Sequence, residues 1–275
     1  GTIADMGAYY FGQESNCIDL HEGTNLISFS TLPRHGPSDM PECIGGIIGE
    51  GVGAVFIDGS WIGSLTEFSC EDGYWFMNYC EDFEWCYNGA ECSEETEYAL
   101  HLGNNLISYT LSDCGSIEEV LPDDVEDCIH AIAGEGVATL NTDFGWVGSL
   151  TSLCPNGGYW FVNQCADIEF TFNEPASLVR QQLLSPSPYP YQQSSQQVFY
   201  FVESIQGIKL GDWVLAYSGD EVVGARQWMG SIIDVPAMGD DGSGYTQGYM
   251  KAGETPTFKP LSNGKLTTLE GNIPA

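Results

Sequence analysis

The sequence predicts a mainly β protein: two tandem duplicated small β-rich lobes, each with a short helix, followed by a β-sandwich module. A long internal repeat and the alternation of short apolar runs with turn residues carry this prediction. The chain has 275 residues, of which 43% are hydrophobic, with 34 glycines and 13 prolines. This composition is ample for packed cores and is typical of short strands joined by tight turns.

The repeat covers most of the first two thirds of the chain. Residues 20–29 (LHEGTNLISF) return as residues 100–109 (LHLGNNLISY). Three further motifs recur in the same order, at residues 49–52 and 134–137 (GEGV), 61–65 and 146–150 (WIGSL, WVGSL), and 73–76 and 158–161 (GYWF). Active sites are rarely duplicated intact, whereas structural and binding modules often are, so the repeat argues against an enzyme.

The repeat and the changes of composition around it divide the chain into five segments. They are an apolar arm at residues 1–16, lobe 1 at 17–90, lobe 2 at 91–172, a linker rich in Pro, Ser and Gln at 173–197, and the sandwich module at 198–275. In each lobe the Asn-Leu-Ile-Ser motif predicts a strand, and a short helix is expected before Cys43 and before Cys128. Ser116 and Glu119 resemble a capping box for the second helix, which would turn Val120 toward the sheet.

The third unit reads as a β-sandwich because strand-like runs alternate with turns. Residues 198–202 (VFYFV) and 213–217 (WVLAY) predict strands, and Gly-Asp turns at 219–220 and 239–242 separate further strands.

The charge of the chain limits its partners. The formal net charge is −32, and Arg34 is the only Lys or Arg before Arg180. Nucleic acid is not expected as a partner, because phosphates need a basic footprint. No apolar run is long enough to predict a membrane-spanning helix, so membrane insertion is not expected either. So many negative charges repel one another unless salt or divalent cations screen them, which favours a saline or calcium-containing extracellular medium.

The ten cysteines, none in a Cys-x-x-Cys pair, predict disulfides and an extracellular location. We expect the two cysteines that bracket each Gly-Tyr-Trp strand to close their own hairpin. Cys114 is expected to pair with Cys128, and the last four cysteines leave three connectivities open. The expected pairs are Cys70–Cys80, Cys154–Cys165, Cys114–Cys128 and, among those three, Cys17–Cys43 with Cys86–Cys92.

Calcium is the cofactor that the acidic turns favour. Asp240, Asp241 and Ser243 supply two carboxylates and a hydroxyl in a Gly-rich turn, as a hard cation requires. Asp234 and Asp220 could complete the shell. The lobes offer further candidates in Glu50, Glu135, Asp58 and Asp143. The alternative is a solvated turn in which Asp and Gly serve the backbone conformation.

Catalysis has little support in the sequence. His21 and His101 are repeat equivalents, but Glu22 is replaced by Leu102, so no His–Glu pair is retained and both histidines are expected at strand edges or turns. No nucleophile elbow, P-loop or His-Glu-x-x-His motif occurs. Six tryptophans could form platforms for sugars, although Trp beside Gly in a β module is more often packed; they are Trp61, Trp75, Trp146, Trp160, Trp213 and Trp228.

Several motifs carry a resemblance to a family. Residues 1–9 (GTIADMGAY) resemble the end of a right-handed β-helix domain in large secreted surface proteins of marine and environmental bacteria. The duplicated lobes, and the third unit with GDW at 211–213, VGARQW at 223–228 and MGDDG at 238–242, are similar to tandem β-rich modules of the same proteins. The resemblance implies a secreted, multidomain, cell-surface protein. It also implies a C-terminal module with one more strand beyond residues 273–275, which this chain lacks.

An apolar arm and a module with an open edge together predict β-strand donation. Each chain would donate its arm to its neighbour, giving a head-to-tail homopolymer, an extracellular surface fibre stabilised by disulfides and calcium. The expected assembly residues are Ile3, Met6, Tyr9, Tyr10 and Phe11. The alternative is a set of carbohydrate-binding or adhesion modules of a secreted protein, with surface glycans as partners.

Overall fold

The computed structural model describes residues 16–176, 179, 184 and 186–269. Within them the chain is mainly β, with short antiparallel strands, one 3-10 helix and two α-helices of four residues each. The arm residues Ile3, Met6, Tyr9, Tyr10 and Phe11 lie outside the described residues, so their role in assembly stays a prediction.

Lobe 1 is a five-stranded antiparallel sheet with two strand pairs packed against it. In chain order its strands are β1 (Asn16–Leu20), β2 (Gly23–Ile27), β3 (Thr31–Pro33), β4 (Ile44–Gly49), β5 (Val52–Ile57), β6 (Ser60–Gly63), β7 (Tyr74–Asn78), β8 (Phe83–Tyr87) and β9 (Gly89–Glu91). The large sheet has the order β2-β7-β4-β5-β6, and the pairs are β1-β8 and β3-β9. Phe29, Ile47 and Phe76 lie fully buried in the core.

Lobe 2 repeats this sheet. Its strands are β10 (Tyr98–Leu100), β11 (Gly103–Ile107), β12 (Gly115–Ser116), β13 (Ile129–Ala133), β14 (Ala138–Thr142), β15 (Gly145–Gly148), β16 (Ser152–Leu153), β17 (Tyr159–Asn163) and β18 (Ile168–Phe170). The order β11-β17-β13-β14-β15 matches lobe 1 strand by strand, and β10-β18 corresponds to β1-β8. Tyr109, Ile132 and Phe161, the repeat equivalents of the three core residues above, are also fully buried.

Each lobe has a helical segment before β4 or β13, as predicted. Lobe 1 has the 3-10 helix Gly36–Asp39, and the longer connection of lobe 2 forms α1 (Ile117–Val120) and α2 (Asp123–Glu126). The predicted capping box is wrong, because Ser116 is the N-cap residue of α1 but its side chain makes no capping hydrogen bond. Val120 does face the core and is fully buried.

All ten cysteines form disulfides, but the predicted partners are wrong. The pairs are Cys17–Cys86, Cys43–Cys80, Cys70–Cys92, Cys114–Cys154 and Cys128–Cys165. None of the predicted pairs is present, namely Cys70–Cys80, Cys154–Cys165, Cys114–Cys128, Cys17–Cys43 and Cys86–Cys92. Cys70 and Cys80 lie at opposite ends of β7, and five extended residues span about 17 Å, whereas disulfide-bonded Cα atoms are about 4–7 Å apart.

The disulfides also move the boundary between the lobes. Strand β9 pairs with β3, and Cys92 is bonded to Cys70, so residues up to Cys92 pack with lobe 1 and not, as expected, with lobe 2. The repeat is preserved in the other bridges, because Cys43–Cys80 and Cys128–Cys165 are equivalent and each spans 37 residues.

The third unit consists of two sheets. Its strands are β19 (Gln197–Val202), β20 (Trp213–Ser218), β21 (Glu221–Gln227), β22 (Ile233–Met238), β23 (Thr257–Ser262) and β24 (Lys265–Leu266). They form the sheets β19-β22 and β21-β20-β23-β24, with Val214 and Val235 buried in the shared core. The chain crosses itself closely at Gly224, where a Cβ would overlap the carbonyl oxygen of Pro236, so only glycine fits. Tyr191 of the linker packs against this unit.

Candidate functional site

The two lobes meet through a pair of equivalent backbone contacts. The Gly158 N–H of lobe 2 donates to the Leu26 carbonyl of lobe 1 at 3.3 Å, and the Gly73 N–H of lobe 1 donates to the Leu106 carbonyl of lobe 2 at 3.2 Å. The duplication therefore produces an approximate two-fold arrangement, in which the same surface of each lobe contacts the other. The apolar centre of this interface consists of Leu26, Trp75, Leu106 and Trp160.

A glutamate from each lobe reaches across this interface to a histidine of the other. Glu135 Oε1 lies 2.6 Å from His21 Nε2, and its Oε2 accepts the backbone N–H of Leu26 at 2.7 Å. In the opposite direction Glu50 Oε1 lies 2.7 Å from His101 Nε2, and its Oε2 accepts the N–H of the equivalent leucine at 2.8 Å. Each glutamate thus holds both a side chain and the backbone of the opposite lobe.

The Gly-Glu-Gly motif explains how the glutamates reach so far. Glu50 and Glu135 occupy the tight turns between β4 and β5 and between β13 and β14. Gly51 and Gly136 follow them with φ of 70° and 64°, a left-handed conformation that glycine adopts without strain. The turn thereby projects the glutamate beyond the end of its own sheet.

Both ring nitrogens of each histidine face a hydrogen-bond acceptor of the protein. His21 Nδ1 lies 2.7 Å from the carbonyl oxygen of Glu22 while its Nε2 faces Glu135. His101 Nδ1 lies 2.9 Å from the carbonyl oxygen of Leu102, and its Nε2 likewise faces a carboxylate. Because a carbonyl and an ionised carboxylate can only accept, this geometry is satisfied when both ring nitrogens donate, so it favours a positively charged imidazolium.

The surroundings of the histidines stabilise this charge. Burial opposes the charge on His21, but the hydrogen bond and the negative charge of Glu135 outweigh it and raise the pKa of His21 to about 9 from 6.5. The bond to the Leu102 carbonyl and the bond to Glu50 also raise the pKa of His101. Two ion pairs of opposite direction therefore join the lobes.

These contacts correct two expectations. We expected no His–Glu pair because none occurs within a repeat, whereas the pairs form between the repeats. We also expected Glu50 and Glu135 as calcium candidates, but His101 and His21 engage their carboxylates.

The third unit contacts lobe 2 through the two members of its own buried ion pair. Arg226 Nη2 lies 2.9 Å from Asp234 Oδ2, and their side chains are 7% and 1% exposed. Asp234 Oδ2 also accepts the Ala138 N–H at 3.0 Å and the Ser149 hydroxyl at 2.6 Å, while Arg226 donates to the Gly136 carbonyl at 2.6 Å. Burial raises the pKa of Asp234 although Arg226 opposes this. The pair therefore belongs to the contact between two units.

The residues predicted to bind calcium are divided among different places. Asp240, Asp241 and Ser243 share the turn after β22, and Asp220 lies in the turn between β20 and β21. Asp234 is a correction, because Arg226 and lobe 2 engage its Oδ2 and it lies near the start of β22, a strand length away from Asp240, so it does not complete a calcium shell at that turn.

The turn after β22 is stabilised by its own hydrogen bonds. Asp241 accepts bonds from the hydroxyl of Thr246 and from the backbone N–H groups of Ser243 and Ser195. Although burial acts in the other direction, these bonds hold the pKa of Asp241 below its usual range. Across the described part of the chain, one group of three His, Cys, Asp or Glu ligand atoms lies within 4.8 Å, and it consists of Glu84 with the disulfide-bonded Cys17 and Cys86.

The tryptophans do not form an exposed row. Trp75 and Trp228 are only 2% and 8% exposed, and the other four of the six are half-buried. Trp61 and Trp146 pack against the cores of their lobes. These six tryptophans therefore do not form the exposed planar platform that the sugar-binding alternative expects of them.

Strand β19 of the third unit is apolar, yet none of its residues is fully buried. Its residues 198–202 (VFYFV) are all at least partly exposed, and Val198 is 49% exposed. Among the residues that the structure describes, only β22 pairs with it. The Gly239 N–H donates to the Gln196 carbonyl, so by the antiparallel alternation the backbone groups of Phe199 and Phe201 point away from β22. Within the part of the chain that the structure describes, the outer edge of β19 is therefore open.

Comparison of the chain with protein-family models, with curated proteins and with solved structures found no match. No helix in the described part of the chain is both long and apolar enough to cross a membrane. Five disulfides are typical of a protein of an oxidising, extracellular compartment.

Proposed function

We propose that this chain is an extracellular structural protein, a subunit of a cell-surface fibre that assembles head to tail by β-strand donation. The open edge of β19 is the observation that carries the proposal. It offers the backbone N–H and C=O groups of Gln197, Phe199 and Phe201 to a further strand. An open apolar edge is an aggregation hazard unless a strand covers it, and a donated strand is a common solution.

The composition of the arm suits it as the donor. Residues 2–11 (TIADMGAYYF) carry Asp5 as their only charged residue. A six-residue strand such as β19 is about 20 Å long, so ten extended residues are enough to pair along its whole edge. The assembly residues of this proposal are Ile3, Met6, Tyr9, Tyr10 and Phe11.

The joints between the units suit a subunit that must keep its shape under load. Five disulfides cross-link the lobes internally, paired glutamates and histidines join the lobes, and the members of a buried ion pair in the third unit form hydrogen bonds with lobe 2. None of these features requires a substrate, and all of them stiffen the chain between the arm and β19.

Calcium binding at Asp240, Asp241 and Ser243 stays a prediction. A cation there would neutralise part of the charge of −32, which otherwise repels neighbouring copies. Isothermal titration of EDTA-stripped protein checks it: heat on adding calcium, lost in Asp240→Asn, supports the site, and no heat contradicts it.

Electron microscopy of three samples tests the fibre. We expect filaments from the full chain, dispersed particles from the chain of residues 16–275, and shortened filaments when a synthetic peptide of residues 1–14 is added in excess to the full chain. A peptide with the same residues in scrambled order is the matched control and should leave the filaments unchanged. Filaments from the chain of residues 16–275 would contradict strand donation, and dispersed full chain that binds a glycan array would favour the carbohydrate-binding alternative.

A further inference from the structure

Lobe 1 presents an exposed apolar face on the side of its sheet opposite to its core. The residues of this face, named here the outer face of lobe 1, are 39%, 44%, 47% and 57% exposed; they are Ile48, Val55, Ile57 and Ile62. Val55 pairs directly with Ile62 across β5 and β6, and Ile57 follows two residues after Val55, so these three side chains lie on one face of the sheet.

The equivalent face of lobe 2 is less apolar and is partly covered. Its residues are all half-buried; they are Ala133, Leu140, Thr142 and Val147. Strand β15 of this face lies beside β22, and the third unit is anchored next to it through Asp234 on Ala138 and Ser149. The third unit thus uses this side of lobe 2 as its docking surface.

Lobe 1 retains the polar groups of that docking surface, but no unit among residues 16–176 and 186–269 docks on them. Gly51, Gly53 and Ser64 stand at the positions of Gly136, Ala138 and Ser149. In lobe 1 the Gly53 N–H donates to the Ser64 hydroxyl oxygen at 3.2 Å, whereas in lobe 2 the equivalent N–H and hydroxyl both donate to Asp234. The same site therefore exists twice, and the described residues cover only one copy of it.

We propose that the outer face of lobe 1 packs against the third unit of the neighbouring copy that accepts the arm. This inference rests on the proposed strand donation, because Phe11 and Asn16 are only five residues apart. Five extended residues span at most about 18 Å, so a donated arm brings lobe 1 of the donor beside the third unit of the acceptor.

Charge also favours this partner. The third unit carries five of the seven Lys and Arg residues of the chain, namely Lys209, Arg226, Lys251, Lys259 and Lys265. Asp58 in the turn between β5 and β6 is exposed and follows Ile57 of the outer face of lobe 1. The third unit also carries nine Asp and Glu residues, so its formal net charge is −4, a small part of the −32 of the chain. Contact of lobe 1 with this least acidic part of the protein costs less repulsion than contact between two lobes.

A binding assay with separate donor and acceptor tests the contact. The acceptor is the chain of residues 16–275 in excess, which cannot donate an arm. The donors, each labelled at the C-terminus in trace amount, are the full chain, its Ile62→Asp variant and its Leu102→Asp variant; a peptide of residues 1–14 reports the arm alone. Leu102 is a matched control because it is an apolar residue of similar exposure, 64% against 57% for Ile62, and belongs to lobe 2.

We expect the full chain to bind the acceptor at least about tenfold more tightly than the peptide, since burying even one apolar side chain is worth that much. The Ile62→Asp variant should fall to the affinity of the peptide, and Leu102→Asp should keep that of the full chain. Unchanged binding by Ile62→Asp would overturn this contact while leaving strand donation intact. Failure of both the peptide and the full chain to bind would overturn the proposed function and this contact together.

Discussion

Removing the charge of Glu135 should weaken the protein in a pH-dependent way. The folded-state pKa of His21 is about 9, above the ordinary value of 6.5. The charged contact therefore stabilises the fold fully below about pH 6.5, and this contribution is lost as the pH rises through about 9. In Glu135→Gln the amide can donate to a neutral imidazole, so the hydrogen bond is kept and its pH dependence disappears.

The magnitude follows from the same pKa. The difference between 6.5 and about 9 corresponds to about 3.4 kcal/mol at about 1.36 kcal/mol for each pH unit. Because 40% of the His21 side chain is exposed, water screens the charges, and we expect about 1 kcal/mol. In a domain of this size that is about 2–4 °C in the melting temperature.

Thermal unfolding at pH 6.5 and pH 9.5 measures this effect. The wild type should melt above Glu135→Gln at pH 6.5, and most of the difference should vanish at pH 9.5. Glu50→Gln is the repeat-equivalent variant and should change the pH dependence in the same direction. The four histidines of the chain also allow NMR titration of the imidazole signals. A His21 signal that titrates near pH 6.5 in the folded protein would refute the charged contact.

Three further predictions concern the joints and the bridges. Replacing Asp234 by Ala leaves the buried Arg226 charge without its partner and should lower the free energy of unfolding by about 3–5 kcal/mol in urea titrations; a change below about 1 kcal/mol would contradict the docking role. Replacing Cys43 and Cys80 by Ala opens a span of 37 residues and should lower the free energy of unfolding by about 4 kcal/mol. A disulfide-linked Cys70–Cys80 fragment in a non-reducing peptide map of the wild type would show the pairing to be different. Trp75→Ala should cost about 3–5 kcal/mol and loosen the lobes in small-angle scattering, and an unchanged scattering profile would argue against its place in the interface.

The sheets could be predicted from the sequence because their signals are local. The Asn-Leu-Ile-Ser and Gly-Tyr-Trp-Phe motifs lie in β2 and β7 and in their equivalents β11 and β17, each flanked by turn residues. The disulfide partners could not be predicted in this way, because they depend on which strand ends meet in space. Cys43 and Cys80 are brought together because β4 pairs with β7, with Ile44 opposite Asn78, and this register is a property of the folded sheet.

The residues that join the lobes are repeated in the sequence, but the repeat does not show which of them meet. A glutamate held between two glycines occurs at the same place in both repeats, and a histidine does too. Within one repeat they have no reason to meet, since the histidine precedes β2 and the glutamate follows β4. Only the two-fold packing of Leu26 and Trp75 against their equivalents brings each glutamate to the histidine of the other lobe.

Hydrogen exchange at the outer edge of β19 tests strand donation most directly. The amides to follow are those of Phe199 and Phe201, which point away from β22. In assembled full chain both should exchange slowly, and in the chain of residues 16–275 both should exchange quickly, while the amide of Tyr200, bonded to β22, stays protected in both. Equal exchange of Phe199 and Phe201 in the two samples would contradict the donation of a strand to this edge.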